Sequence, residues 1–260
     1  MNPVLFFQII GALTLDAFRG IGMLSVFITN TVGAVLLPPY YGGNVMAMML
    51  RIGFNSLPVV GLTAIFTGAA LALNIYDGSA RFNAETFLPQ ILSVSIVREL
   101  GPGFAALMVA GRASSAMAAE LGAMRVSDQI DAMRTLSVNP YHYLIAPRVL
   151  ATTLALPVLV FIADVIGIYG GYLTATLALN FEGATYIANI ENFLTARDVI
   201  SGLIKAAVFG FLISLMGCFF GYHSAGGARG VGAATRAAVV GSAVAIFASN
   251  YVMTSFLISV

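Results

Sequence analysis

Four charged residues interrupt long apolar stretches of the chain, and they are the first candidates for chemistry. Arg98 and Glu99 are neighbours in the segment SIVRELGP (95–102), while Asp164 and Lys205 each lie alone in a later stretch. A charge in the middle of a membrane costs at least about 2.5–3.5 kcal/mol, so such residues face a protein interior or a watery cavity and usually pair. The chemistry open to these four is ion pairing, contact with a charged lipid headgroup, or proton carriage by Glu99 and Asp164.

Arg98 and Glu99 are poor partners for each other, because consecutive side chains on a helix point about 100° apart. We therefore expect Glu99 to pair with Lys205, whose long side chain can cover a difference in depth between the two. Arg98 is expected to meet Asp164, a helix C-terminus or a lipid phosphate. A buried network of these four charges that never touches lipid is the alternative.

The composition indicates an integral membrane protein. Of the 260 residues, 59% are hydrophobic and 9% are charged, whereas soluble domains carry about 25% charged residues. The net charge of +1 gives no reason to expect a nucleic-acid partner.

Five apolar windows are long enough to cross a membrane, for which about 20 residues are needed. They are residues 52–76, 86–111, 149–177, 199–222 and 237–258. Two glycine pairs inside these windows, in GIYGG (167–171) and GCFFG (217–221), have the spacing of close helix contacts. We favour packing within one chain over dimerisation for both.

The first 50 residues are harder to assign. The apolar runs 3–15 and 21–37 are separated by Asp16 and Arg19, and each is short for a span. We expect an interfacial or re-entrant helix over residues 1–50 rather than a sixth span. The predicted fold is an all-α integral membrane protein, a single membrane domain with this N-terminal helix and five transmembrane helices.

The distribution of arginine predicts the orientation, because basic residues are enriched in cytoplasmic loops. With five spans, eight arginines lie on one side: Arg19, Arg51, Arg112, Arg125, Arg134, Arg148, Arg229 and Arg236. Arg81 and Arg197 lie on the other side. This places the N-terminus in the cytoplasm and the C-terminus outside.

The predicted cytoplasmic loop before the third span contains a short amphipathic pattern. Val126, Ile130 and Met133 share one helical face. Asp128, Asp131 and Arg134 fall on the other side, and Ser127 can cap the start of the helix. Such a helix either lies on the membrane surface or docks into another cytoplasmic protein.

The chain carries no catalytic signature that we recognise. It has no GxxxxGK[ST] loop to cradle the phosphates of ATP, no hydrolytic triad and no clustered cysteine and histidine ligands. We therefore expect a non-catalytic protein that binds no metal and no cofactor of its own.

Residues 98–151 resemble the hallmark region of the MlaE/YrbE family, the permease subunits of ABC transporters that move lipids between the inner and outer membranes of Gram-negative bacteria. The resemblance rests on RELGP (98–102), GRA (111–113) and, in order, Glu120, Gly122, Met124, Arg125, Gln129, Pro140, Pro147 and Arg148. It continues through GIYGG, LIKAAVFG (203–210) and ATRAAVV (234–240).

The resemblance implies partners as well as a fold. It implies a homodimer in the bacterial inner membrane that helps to maintain outer-membrane lipid asymmetry. The region 120–136, including Glu120, would couple the permease to an MlaF-like cytoplasmic ATPase, which would hold the ATP and Mg. A hexameric MlaD-like MCE-domain protein would meet the dimer on the periplasmic side, and an MlaB-like STAS-domain protein would bind the ATPase.

The resemblance also implies a phospholipid site at the dimer interface, lined by the first, second and fifth spans. The residues placed to contribute to it are Leu71, Leu73, Tyr76, Phe82 and Leu88, together with Arg98 and Glu99. Two other functions remain open. One is an ion-coupled secondary transporter that uses Glu99 and Asp164, and the other is a membrane scaffold that transports nothing.

Overall fold

The computed structural model describes residues 3–81 and 85–258 of the chain, and within these residues it is helical, without strands. The α-helices are α1 (Pro3–Leu36), α2 (Gly42–Ala80), α3 (Leu88–Ser95), α4 (Gly101–Val109), α5 (Ser115–Val126), α6 (Gln129–Thr135), α7 (Ala146–Leu177), α8 (Gly183–Phe193), α9 (Ala196–Tyr222) and α10 (Gly227–Ile258). Three π-helical turns lie at Ile96–Leu100, Ala110–Ser114 and Tyr141–Ile145, and a 3₁₀ turn lies at Glu85–Phe87.

Six helical segments of the described residues are long and apolar enough to span a membrane. They are Phe18–Leu36, Gly42–Ala80, Leu88–Val126, Tyr141–Leu177, Ala196–Tyr222 and Gly227–Leu257. The last five match the five predicted windows to within two residues where a window extends past its helical segment, and the prediction of an all-α membrane protein is confirmed. Most of these helices are longer than the apolar windows predicted for them, because a helix continues into water where charged residues end the apolar pattern.

The N-terminal helix α1 joins the two predicted apolar runs into one continuous helix, so it does not fold back as a re-entrant segment. Its buried Phe27 packs against Tyr141, Phe219, Tyr222 and His223, with ring centroids 5.5–6.0 Å apart. These partners lie where α7 begins and α9 ends, so α1 rests on one end of the bundle. Its position in the membrane interface stays a prediction, since its length would also allow it to span.

Glycines bring α2 and α7 into backbone contact. A Cβ atom on Gly68 would lie 1.9 Å from the Gly167 carbonyl oxygen, and one on Gly170 would lie 2.4 Å from that of Ile65. Gly217 and Gly221 of α9 approach α5 in the same way. Both glycine pairs therefore pack within the chain, as predicted, because only glycine lets two backbones come this close.

Candidate functional site

The segment RELGP forms a local irregularity in the second span. Residues Ile96–Leu100 make a π-helical turn, in which the Gly101 N–H donates to the Ile96 carbonyl. Pro102 follows and has no N–H, so the Arg98 carbonyl lacks its α-helical donor. Lys205 of α9 supplies that donor, with Nζ 3.0 Å from the Arg98 oxygen. The irregular backbone thus creates an acceptor inside the protein for a buried cation.

Glu99 and Lys205 form the predicted pair. The Lys205 Nζ lies 2.6 Å from Glu99 Oε1, and its side chain is 3% exposed. Lys205 also donates to Thr254 Oγ1 at 2.7 Å, and Thr254 donates in turn to Glu99 Oε1 at 2.9 Å. Asn250 Nδ2 donates to Glu99 Oε2 at 3.0 Å. The network therefore ties the second, fourth and fifth predicted spans together.

The sequence did not lead us to predict Asn250 and Thr254 as members of this network, although their type and spacing indicate such a role. They are four residues apart in the charge-free window of α10, and residues with this spacing share a helix face. Polar side chains in an apolar span are themselves a reason to look for a partner.

Arg98 meets Asp198, which is not among the partners predicted for it. The Arg98 Nε lies 3.5 Å from Asp198 Oδ1, so Arg98 pairs with Asp198 and not with Asp164, which was one of three predicted partners. Contact of Arg98 with a lipid phosphate, another of the three, stays a prediction. Asp198 lies just before the predicted window 199–222, but α9 begins at Ala196 and Asp198 lies in its first turn. There its other oxygen accepts from the Thr195 N–H at 3.0 Å, in a capping box that fixes the carboxylate beside Arg98.

Asp164 stands apart from this network. It is 5% exposed and packs against the π-turn, where a Cβ on Gly101 would lie 1.7 Å from its Oδ1. That oxygen has no hydrogen-bond partner among the described residues. Of the four predicted charged residues, Glu99 and Lys205 therefore pair with each other. Arg98 and Asp164 do not join that pair.

The predicted lipid-contacting residues divide into two groups. Leu71 and Tyr76 pack against a cluster formed where α2 and α7 end and α3 begins, and Leu88 is fully buried inside it. Complete burial argues against direct lipid contact for Leu88, which instead holds the cluster together. Leu73 is 50% exposed and faces away from the chain. Phe82 lies outside the described residues.

An apolar groove runs beside the π-turn, between α2, α4 and α7. Its lining is Val60, Thr63, Ala64, Thr67, Gly68, Ile96, Leu100, Gly101, Phe104, Ala105, Ala163 and Gly167. Thr63 and Thr67 are its only polar side chains, and the Thr63 hydroxyl donates to carbonyls of its own helix. Such a lining suits hydrocarbon rather than a hydrated solute.

At the other end of the bundle, the predicted coupling helix is shorter than expected. It starts at Gln129 rather than Val126, because Asp128 adopts a left-handed φ of 55° and separates α6 from α5. Ser127 therefore ends α5 and does not cap α6, and Val126 belongs to the preceding helix.

The side chains of α6 fix it to the bundle on one side only. Ile130 is completely buried and Met133 packs against the core, as the amphipathic pattern predicts. Asp131 pairs with Arg125 at 2.7 Å and with Arg134 at 3.3 Å, and Arg134 also donates to the Tyr222 hydroxyl. Asp128 and Gln129 are exposed, as are Ala132, Arg134 and Thr135. This exposed side of α6 is open to a partner.

Glu120 lies on α5 and joins three helices. Its carboxylate lies 2.5 Å from Arg51 of α2 and 3.2 Å from the buried Arg148 of α7. Arg148 also donates to the Leu144 carbonyl at 2.7 Å. Glu120 was predicted to belong to the coupling region, and its contacts lie within the chain.

These features define a multi-pass helical membrane protein whose spans are joined by buried charges. The family model described as Permease MlaE matches residues 45–256, and the chain belongs to this family. It is 45% identical to a probable ABC transporter permease of Rickettsia typhi, over 97% of this chain and 98% of the relative. It is 30% identical to the intermembrane phospholipid transport system permease protein MlaE of Haemophilus influenzae, over 97% of both chains. The chain is thus the permease subunit of an ABC transporter, a membrane component without catalytic function.

Proposed function

We propose that this permease moves phospholipids between the inner and outer membranes of a bacterium and so maintains outer-membrane asymmetry. The observation that carries the proposal is the apolar groove between α2 and α4, which adjoins the π-turn bearing Arg98 and Glu99. The H. influenzae relative, named for intermembrane phospholipid transport, supports the same substrate.

The chemistry of the groove fits a phospholipid acyl chain. A phospholipid needs an apolar surface for its chains and a few polar groups near its head. Arg98 and Arg197 line a separate opening next to Ile204 and Leu257, and the Arg98 side chain is 37% exposed there. In this proposal Arg98 donates to a headgroup phosphate, while its pair with Asp198 holds the guanidinium in position.

Lipid extraction requires an external source of energy. Each methylene removed from an apolar environment costs about 0.8 kcal/mol. The exposed side of α6 is the proposed docking surface for an MlaF-like ATPase, which would bind ATP and Mg. An MlaB-like STAS-domain protein would bind that ATPase.

We also propose how the permease assembles and in which membrane it lies. The permease would act as a homodimer in the inner membrane, with its N-terminus in the cytoplasm and its C-terminus in the periplasm. A hexameric MlaD-like MCE-domain protein would continue the lipid path on the periplasmic side. The arginine count and the family membership support this arrangement.

Photocrosslinking tests the lipid groove. A benzophenone amino acid in place of Phe104, which lines the groove, is expected to capture a labelled phospholipid in nanodiscs. The same substitution at Phe161 is the control, because Phe161 is similarly exposed on α7 but does not line the groove. Equal labelling at both positions would mean contact with bulk lipid only.

Reconstitution distinguishes the competing functions. ATP-dependent lipid movement by the permease with its ATPase would support the proposal. Uptake driven by a proton gradient, with no ATPase present, would instead support the ion-coupled transporter using Glu99 and Asp164. Absence of both activities from a complex that assembles fully would support the scaffold.

A further inference from the structure

A second groove lies between α2 and α5 at the arginine-rich end of the bundle. Its walls are apolar and are formed by Met48, Ile52, Ala113, Ala116 and Met117. Three polar residues complete the lining: Arg51, Arg112 and Glu120. This groove is separate from the one beside the π-turn, with which it shares no residue.

Positive charge exceeds negative charge around this groove. Glu120 is shared between the guanidinium groups of Arg51 and Arg148, and the guanidinium of Arg112 lies in the same groove without a carboxylate of its own among the described residues. Arg112 donates Nη1 to the neutral Ser56 hydroxyl at 2.8 Å, and within the described part of the chain it has no carboxylate partner. A half-buried guanidinium with one neutral contact has donors left for an anion.

The two arginines of the groove lie at different depths. Ser56, which receives the Arg112 hydrogen bond, follows Arg51 on α2 by five residues, or about 7.5 Å along the helix. Cationic groups are therefore distributed along an apolar surface that begins at the charged end of the bundle. This combination complements a phosphate headgroup with an acyl chain attached.

We propose that this groove binds a glycerophospholipid of the cytoplasmic leaflet, with Arg112 donating to its phosphate and Arg51 adding positive charge at the charged end of the groove. One acyl chain lies along Ile52, Ala116 and Met117. The inference rests on the proposed function, which supplies the orientation and the lipid substrate, and it adds a second lipid site on the cytoplasmic side. The bound lipid lies beside Glu120, the residue that joins α5 to α2 and α7.

The experiment places a benzophenone amino acid at Ala116, which is exposed in the groove. Nanodiscs contain either a labelled phosphatidylglycerol or a labelled diacylglycerol with the same acyl chains. Because a charge-assisted hydrogen bond is lost, Arg112→Gln is expected to lower phosphatidylglycerol labelling by about tenfold. Arg112→Lys is expected to restore part of it. The control is Arg125→Gln, since Arg125 pairs with Asp131 outside the groove and its loss should leave labelling unchanged.

Three results would overturn the inference. They are unchanged labelling in Arg112→Gln, equal labelling by the phosphate-free diacylglycerol, and complete displacement of the lipid by inorganic phosphate. Size exclusion shows whether Arg112→Gln folds. If it does not, the inference is tested by comparing labelling by the two lipids in the unmodified protein. Labelling at Phe104 without labelling at Ala116 would refute this second site alone, whereas absence of labelling at Phe104 counts against the proposed function.

Discussion

Lys205 uses each of its three ammonium hydrogens, and this accounts for a charge that is almost fully buried. The acceptors are the Arg98 carbonyl, Glu99 and Thr254. Removing one partner of a buried ion pair leaves the other charge uncompensated, which typically costs about 3–5 kcal/mol. Glu99 is 38% exposed, so we expect its loss to fall at the lower end of that range.

We predict that Glu99→Gln lowers the free energy of unfolding by about 3 kcal/mol. Glu99→Gln should also abolish lipid transport. Thermal unfolding in detergent measures the first effect and reconstituted transport measures the second. Glu191→Gln is the control, because Glu191 is an exposed glutamate of α8 with no ion pair among the described residues.

The charge swap Glu99→Lys with Lys205→Glu tests whether the pair acts through direct contact. Each single change places two like charges together and should abolish transport, whereas the double variant should recover part of both stability and transport. A double variant that recovers neither would show that the 2.6 Å contact is not the functional interaction.

The sequence predicted one partner in this network and missed the others, for a physical reason. Glu99 and Lys205 are opposite charges inside apolar windows, so their pairing follows from the cost of burying either one alone. The partner of Arg98 depends on where α9 begins, and a hydropathy window does not define that residue. The π-turn at Ile96–Leu100 was also unpredictable, because it inserts no residue type that an ordinary helix would exclude.

At the scale of whole elements, the contact between α2 and α7 is set by glycine. A Cβ on Gly68 would lie 1.9 Å from a backbone oxygen of Gly167, which cannot move without shifting α7. We predict that Gly68→Ala lowers the free energy of unfolding by about 1–3 kcal/mol or more, as overpacking does. Gly78→Ala is the control in the same helix, since a Cβ there meets nothing within 4 Å. Equal unfolding midpoints for the two variants would contradict the close crossing.

The two sides of α6 should have separable roles. Ile130 is completely buried, so Ile130→Ala is expected to lower the free energy of unfolding by about 3 kcal/mol. Ala132 is exposed, so Ala132→Glu should leave the unfolding midpoint unchanged but weaken retention of the ATPase in affinity purification. If Ala132→Glu retains as much ATPase as the unmodified permease does, the ATPase does not contact this side of α6.

The apolar windows located five long apolar helices but could not determine how the first helix lies. Residues 3–36 form one helix that is long enough to cross, yet Phe27 binds it to the ends of α7 and α9. Composition shows only whether a helix is apolar enough to lie in a membrane, whereas the tilt of the helix follows from its tertiary contacts. The same limit applies to the candidate site, whose apolar groove is formed by three helices that are distant in sequence.

At the scale of the molecule, burial is unequal among the spans. The most apolar windows of α7 and α9 are 50% buried, and those of α2 and α10 are 22% buried. On α10 the exposed residues Val240, Val244, Phe247 and Tyr251 follow a spacing of four, three and four, so they form one apolar stripe. Lipid and a second copy of the chain are equally suitable neighbours for such a stripe, and apolarity alone does not distinguish them.

The proposed homodimer assigns the stripe on α10 to the interface between copies, because the family resemblance places the fifth span there. Cys218 is the chain's single cysteine and is fully buried, so an introduced cysteine becomes the accessible thiol. Val244→Cys is expected to give a covalent dimer with a short bismaleimide in the membrane. Val165→Cys, on the exposed face of α7, should not, because the proposed interface does not include that face. Dimer formation by Val165→Cys in preference to Val244→Cys would place the interface on α7, and then α2 and α10 would expose their apolar faces to lipid.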